Sequence, residues 1–166
     1  GVSTAAANVT SVTDSAGNTY SKIATATTGN WALSNVWATK ATASSATNVV
    51  TINLSAAAVT RFGIAQYSGA SSAAPKIASF SRNGSGATSL TSSAFSPTAG
   101  DAIIVYTTMG TDQTTFTGAA GYVLRNTGTV WSSWEDRLTT AGGAQNTSIS
   151  WALANAYADM WVLTFK

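Results

Sequence analysis

Six carboxylates stand in this chain of 166 residues, Asp14, Asp101, Asp112, Glu135, Asp136 and Asp159, and no His or Cys accompanies them. That inventory decides much of the chemistry in advance. Zinc, copper, haem and iron–sulfur ligation of the usual kinds need imidazole or thiolate, so they are excluded, and no cofactor is expected. A Ser/His/Asp set lacks its base, and none of the lysines lies in a Ser-x-x-Lys motif. Glycoside hydrolysis stays formally open, because it needs only two carboxylates flanking the bond. Glu135-Asp136-Arg137 is the sole charged run and follows Trp131 and Trp134, so an acid and aromatic sugar platforms coincide there. In an extended strand, however, Glu135 and Asp136 point to opposite faces and cannot act as a neighbouring pair without a bulge. The preferred reading is structural: one acid pairs with Arg137 or another Arg near an edge, the other is solvated, and the chain is not expected to be an enzyme.

Oxygen ligands alone could hold calcium. The cluster Asp14-Ser15-Ala16-Gly17-Asn18 has the composition of a calcium loop, with Asp14 and Asn18 as the weak candidates, but it lacks the alternating acids and terminal Glu of an EF-hand. An Asx turn is the simpler expectation, and no metal is expected. Carbohydrate binding without catalysis needs only exposed aromatic faces and hydrogen-bonding groups on a rigid frame. A strand through residues 31–37 places Trp31, Leu33, Asn35 and Trp37 on one face. If that face is outward, Trp31 and Trp37 stand about 20 Å apart by strand rise, a span of several sugar rings. If it is inward, which is preferred, both are core and Asn35 is a buried amide needing partners. Trp131 and Trp134 are the other candidate glycan contacts. Asn8, Asn53, Asn83 and Asn146 open Asn-x-Ser/Thr sequons and are possible N-glycosylation acceptors.

The net charge is only +2. Lys22, Lys40, Arg61, Lys76, Arg82, Arg125, Arg137 and Lys166 are scattered, so no phosphate-tracking stripe exists and nucleic acid is not an expected partner. No apolar run approaches the ~20 residues of a membrane span. Ser, Thr and Ala make up nearly half the chain while 45% of residues are hydrophobic, a balance that separates it from disordered sequences. The chain starts at Gly1 without a Met or an apolar leader, from which removal of a leader and an extracellular or cell-surface location are expected.

The elements that must position these residues are strands. Apolar residues recur with period 2 in Val50, Ile52 and Leu54 and again in Trp161, Leu163 and Phe165. Further strands are predicted over 8–13, 19–25, 31–39, 59–67, 76–80, 88–95, 101–109, 122–126, 130–138 and 147–153. Turn signals separate them at 14–18, 83–86, 97–101 and 142–143, each with an Asx side chain or a Gly. No helix of ten or more residues is predicted. About twelve short strands are too many for one flat sheet, so the expected fold is all-β: a two-sheet antiparallel β-sandwich of jelly-roll type, forming a single domain over 1–166.

The runs Val12-Thr13-Asp14-Ser15-Ala16-Gly17-Asn18-Thr19-Tyr20, Ala65-Gln66-Tyr67-Ser68-Gly69, Ala99-Gly100-Asp101-Ala102-Ile103-Ile104-Val105 and Glu135-Asp136-Arg137, with the closing 161–166, carry a resemblance. Along nearly its whole length the chain resembles a loosely defined family of secreted microbial β-sandwich domains, mostly of unassigned function. The resemblance implies a sandwich fold and extracellular placement, and no catalytic residues. Members of that family usually carry one more apolar strand, of the Gly-Asp-x-x-Val-Val kind, before the first hairpin, and this chain starts after it. A sandwich lacking a strand exposes an edge and a strip of core, and such a vacancy can be filled by β-augmentation from another subunit. Gly1, Val2, Ser3, Thr4, Ala5, Ala6 and Ala7 are small, polar and extended in character, and form either a strand that crosses to a neighbour or a frayed terminus. The leading expectation is thus a self-associating structural protein, a pilus- or thread-like filament subunit joined by strand exchange. The alternatives are a carbohydrate-binding or adhesive module and a phage or virion surface domain.

Overall fold

The computed structural model describes residues 7–28, 32–58, 62–70, 75–84, 86–125, 130–138, 140–155 and 157–166. Twelve strands and no helix occur among them, and every strand pairing is antiparallel. The strands fall into four sheets rather than the expected two. They are divided between two compact units, Gly1–Thr60 and Arg61–Lys166.

The first unit holds β1 (Val9–Asp14), β2 (Ser21–Thr28), β3 (Ala32–Ala38) and β4 (Val50–Leu54). Among the described strands β1 pairs with β4, with Val12 opposite Ile52 and Asp14 opposite Val50, and β2 pairs with β3. The period-2 pattern has its expected effect on β4: Val50, Ile52 and Leu54 are half-buried while Thr51 and Asn53 are exposed. Yet no apolar side chain described in this unit is fully buried; its one buried residue is Asn18. A two-stranded sheet has too little surface to cover its own apolar face.

The second unit holds β5 (Lys76–Asn83), β6 (Ala87–Thr91), β7 (Ala102–Gln113), β8 (Phe116–Thr117), β9 (Val123–Leu124), β10 (Val130–Arg137), β11 (Ser148–Asn155) and β12 (Ala158–Phe165). Five strands form one sheet in the order β5-β12-β7-β10-β9, and three form another in the order β6-β11-β8. The first strand therefore pairs with the last, β6 with β11, and β7 with β10. Inner-face residues of both sheets meet in one cluster that includes Ile103, Val105 and Met109 of β7, Met160 and Val162 of β12, Leu90 of β6, Ile149 and Trp151 of β11 and Phe116 of β8. This is sandwich-like packing. Burying a side chain of this kind contributes about 1.5–3 kcal/mol, so the cluster dominates the stability of the unit. β12 lies between β5 and β7, and each residue from Ala158 to Thr164 is buried.

The strand expected over 59–67 is a correction. Residues 59–61 lie outside the described residues, and 62–67 form no strand. Phe62 and Ile64 are exposed at 62% and 54%, so their alternation marks no buried face. The segment 62–70 is instead a strap held by side-chain contacts. A Cβ on Gly63 would fall 2.5 Å from the Trp134 ring, so only glycine lets the backbone approach there, and the Tyr67 ring packs against Phe165 at 5.3 Å.

Candidate functional site

Five of the six acidic residues, Asp14, Asp101, Glu135, Asp136 and Asp159, are built into the framework, each by different partners; the side chain of Asp112 lies outside the described residues. In the first unit the two oxygens of Asp14 accept hydrogen bonds from the Asn18 backbone N–H (2.8 Å), the Asn18 Nδ2 (2.8 Å), the Tyr20 hydroxyl (3.1 Å) and the Asn48 Nδ2 (3.1 Å). Those bonds, foremost the one from the Asn18 side chain, hold its carboxyl well below the usual carboxylate range. Asn18 in turn accepts from the backbone N–H groups of Thr42 and Ala43 and donates to the Ala43 carbonyl. The pair considered for calcium thus ties the β1 turn to the 40–49 loop with an Asx-type network. Among the described residues no group of three or more acidic side chains converges.

In the second unit Asp101 accepts from the Thr98 N–H at 2.9 Å, and Asp159, 1% exposed, accepts from Arg82 Nε at 2.6 Å. Glu135 and Asp136 emerge on opposite faces of β10, as strand alternation requires, with Glu135 opposite Val105 of the core and Asp136 opposite Ile104. Glu135 faces inward and is completely buried; it accepts from the Ala119 N–H (2.9 Å) and the Thr147 hydroxyl (3.0 Å). Burial pushes its carboxyl above the ordinary value. Gly118 leaves room for it, since a Cβ there would run into Glu135 Oε2.

Asp136 faces outward and is nevertheless 1% exposed. Arg125 grips it side-on, Nη2 to Oδ1 at 2.8 Å and Nε to Oδ2 at 2.9 Å, and the Tyr67 hydroxyl donates to Oδ2 at 2.6 Å. Burial first, and the neighbouring Asp136 second, raise the Tyr67 phenol far above its usual range, so it stays a donor. This triad latches the strap to the sheet. Beside it opens a cleft of about 620 Å3, whose lining includes Tyr67, Arg125, Trp134, Leu138, Phe165 and Lys166.

Of the aromatic residues considered for glycan contact, Trp134 lines this cleft. Trp131 is half-buried and does not line it. Trp31 lies outside the described residues. Trp37 is half-buried with the Lys22 ammonium 5.2 Å from its ring centroid, and Asn35, also half-buried, accepts from Thr25 Oγ1; the side chain of Leu33 lies outside the described residues. Asn8, Asn53 and Asn146 are exposed, whereas Asn83 is half-buried and donates to the Ser89 carbonyl. Of the segment Gly1 to Ala7 considered for strand exchange, residues 1–6 lie outside the described residues and Ala7 is half-buried.

The sequence anticipates an Arg beside one of the paired acids, but the expected solvation of the other is a correction, since Glu135 is buried in the core, and Arg125, Tyr67 and Phe165 are not anticipated. Their signal was only compositional: Tyr67 sits in a segment read as strand, and nothing local ties residue 67 to residue 136. Comparisons with protein-family models, with curated proteins and with solved structures give no match.

Proposed function

We propose that the protein is an extracellular structural subunit that assembles by β-strand exchange, most concretely into a surface filament. The observation that supports this reading is the first unit, whose two sheets each stop at two strands and bury no apolar side chain among the described residues. A strand added beside β1 or β4 would satisfy a row of ladder groups and finish covering Val50, Ile52 and Leu54, contributing about 1 kcal/mol for each. The second unit is the anchor. Its order β5-β12-β7-β10 against β6-β11-β8 pairs first strand with last and second with seventh, which fits a double ribbon rolled into a jelly roll. Such a body needs no partner to stand.

Electron microscopy of native material, with light scattering on the purified chain, tests the proposal. Linear or layered assemblies that dissociate when β4 carries Ile52→Pro are expected. A concentration-independent monomer in native material overturns the proposal.

A further inference from the structure

We infer that the bond between Phe62 and Gly63 is a processing site, cut by an endopeptidase whose primary pocket takes a large aromatic side chain. This goes beyond the assembly role and does not depend on it.

An endopeptidase takes up its substrate as an extended strand, so it needs several consecutive backbone N–H and C=O groups free to pair with its own. Paired strands supply them only by opening locally. The strap 62–70 supplies them as it stands: among the described residues none of its backbone groups has a backbone partner, and every residue in it except Tyr67 is exposed. Its small residues, Gly63, Ala65, Ser68, Gly69 and Ala70, suit close approach by another chain. The large apolar side chains exposed elsewhere lack this freedom. Val123 and Leu153 lie within β9 and β11, Val49 exchanges hydrogen bonds with Ser15, and Leu138 directly follows Arg137, which is paired to Ile103.

Within the strap the choice falls on Phe62, an exposed aromatic side chain followed by a glycine that leaves the far side of the bond uncrowded. Ile64 is branched at Cβ, which crowds the backbone at the bond to be cut. The Tyr67 ring is held by Asp136 and Phe165. Gly63 rests against the Trp134 ring, and lifting it bares no side chain of the strap. The bond lies next to the boundary between the two compact units, with the pairings of β1 to β4 wholly before it and those of β5 to β12 wholly after it. Hydrolysis adds water across the bond, the hydroxyl going to the Phe62 carbonyl carbon and the proton to the Gly63 nitrogen. The fragments 1–62 and 63–166 keep every described strand pairing, so the cut uncouples the units without dismantling either.

Limited digestion of the full folded chain with chymotrypsin, and the chain termini in native material, both read by mass spectrometry, test the inference. The chain offers six Trp, five Tyr and five Phe, and the first cut is expected after Phe62. Phe62→Ala, at an exposed side chain that the fold does not need, is expected to slow that cut more than about tenfold, and Phe62→Leu to restore part of it. Native material is expected to contain chains that begin at Gly63. A first cut elsewhere overturns the inference. So does undiminished cutting of Phe62→Ala before Gly63, or native material in which every chain is intact across that bond, whatever its assembly state.

Discussion

The two units of this chain are built from similar residues and reach different ends. In the second, alternating apolar side chains from β7 and β12 meet those of β6, β8 and β11, and Ile103, Val105, Met160 and Val162 reach zero exposure. In the first, β4 alternates as cleanly, yet Val50, Ile52 and Leu54 remain half-buried because β1 is their only ladder partner among the described residues. Its one buried side chain among the described residues is an amide, Asn18, that organises a turn. The contrast teaches that period-2 patterning supplies a face to bury without supplying what covers it.

The widest gap between the units is expected in core truncation. Met160→Ala removes a fully buried side chain from the second unit and is expected to cost about 2–5 kcal/mol in urea unfolding. Ile52→Ala in the dilute, unassembled chain is expected to cost about 1 kcal/mol or less, since much of its surface is already wet. Equal losses at the two positions would erase the distinction.

Next in size is the polar anchor of the first unit. Asn18→Ala removes the acceptor for Thr42 and Ala43 and the donor to Asp14, at an expected cost of about 1–3 kcal/mol and with loss of order confined to 14–20 and 40–49. NMR amide shifts report it directly; changes spread through β7 and β12 would contradict the local role.

The units are also expected to answer acid with opposite signs. Asp14 is held below its ordinary value, so its stabilisation is present above pH 3.8 and is lost as pH falls through the lowered value. Glu135 is raised above 4.5 by burial, so its contribution favours the fold below pH 4.5 and is lost as pH climbs through the raised value. Glu135→Gln, which can still serve Ala119 and Thr147, is expected to remove that upper-pH loss and stabilise the second unit at neutral pH. Unfolding curves from about pH 1 to pH 8 read by a probe in each unit check both signs.

The smallest expected effect is at Thr107, fully buried with a hydroxyl that finds no hydrogen-bond partner. Thr107→Val replaces that hydroxyl with a methyl group and is expected to leave stability unchanged or raise it by up to about 1 kcal/mol.

Much of the strand content was legible in the sequence, because alternation in 50–54 and 161–165 and the turn residues at 14–18 and 97–101 are local properties. Sheet membership was not. Nothing near Lys76 says that β5 will lie beside β12, and the short β8 leaves no periodic trace. Phe62 and Ile64 alternate like strand residues, yet the glycine between them, its bareness required by Trp134, belongs to a strap. In the candidate cleft Trp134 and Asp136 stood out as an aromatic and an acid in one run, whereas Tyr67 and Arg125 are joined to them only by the fold.

Amide hydrogen exchange, compared between the dilute monomer and the native assembly, bears most directly on the central contrast. β7 and β12 are expected to be protected in both states, while β1 and β4 exchange rapidly in the monomer and become protected on assembly. Equal, slow exchange of β1 and β4 in the monomer would mean that the first unit completes itself, and the proposed strand exchange would fall.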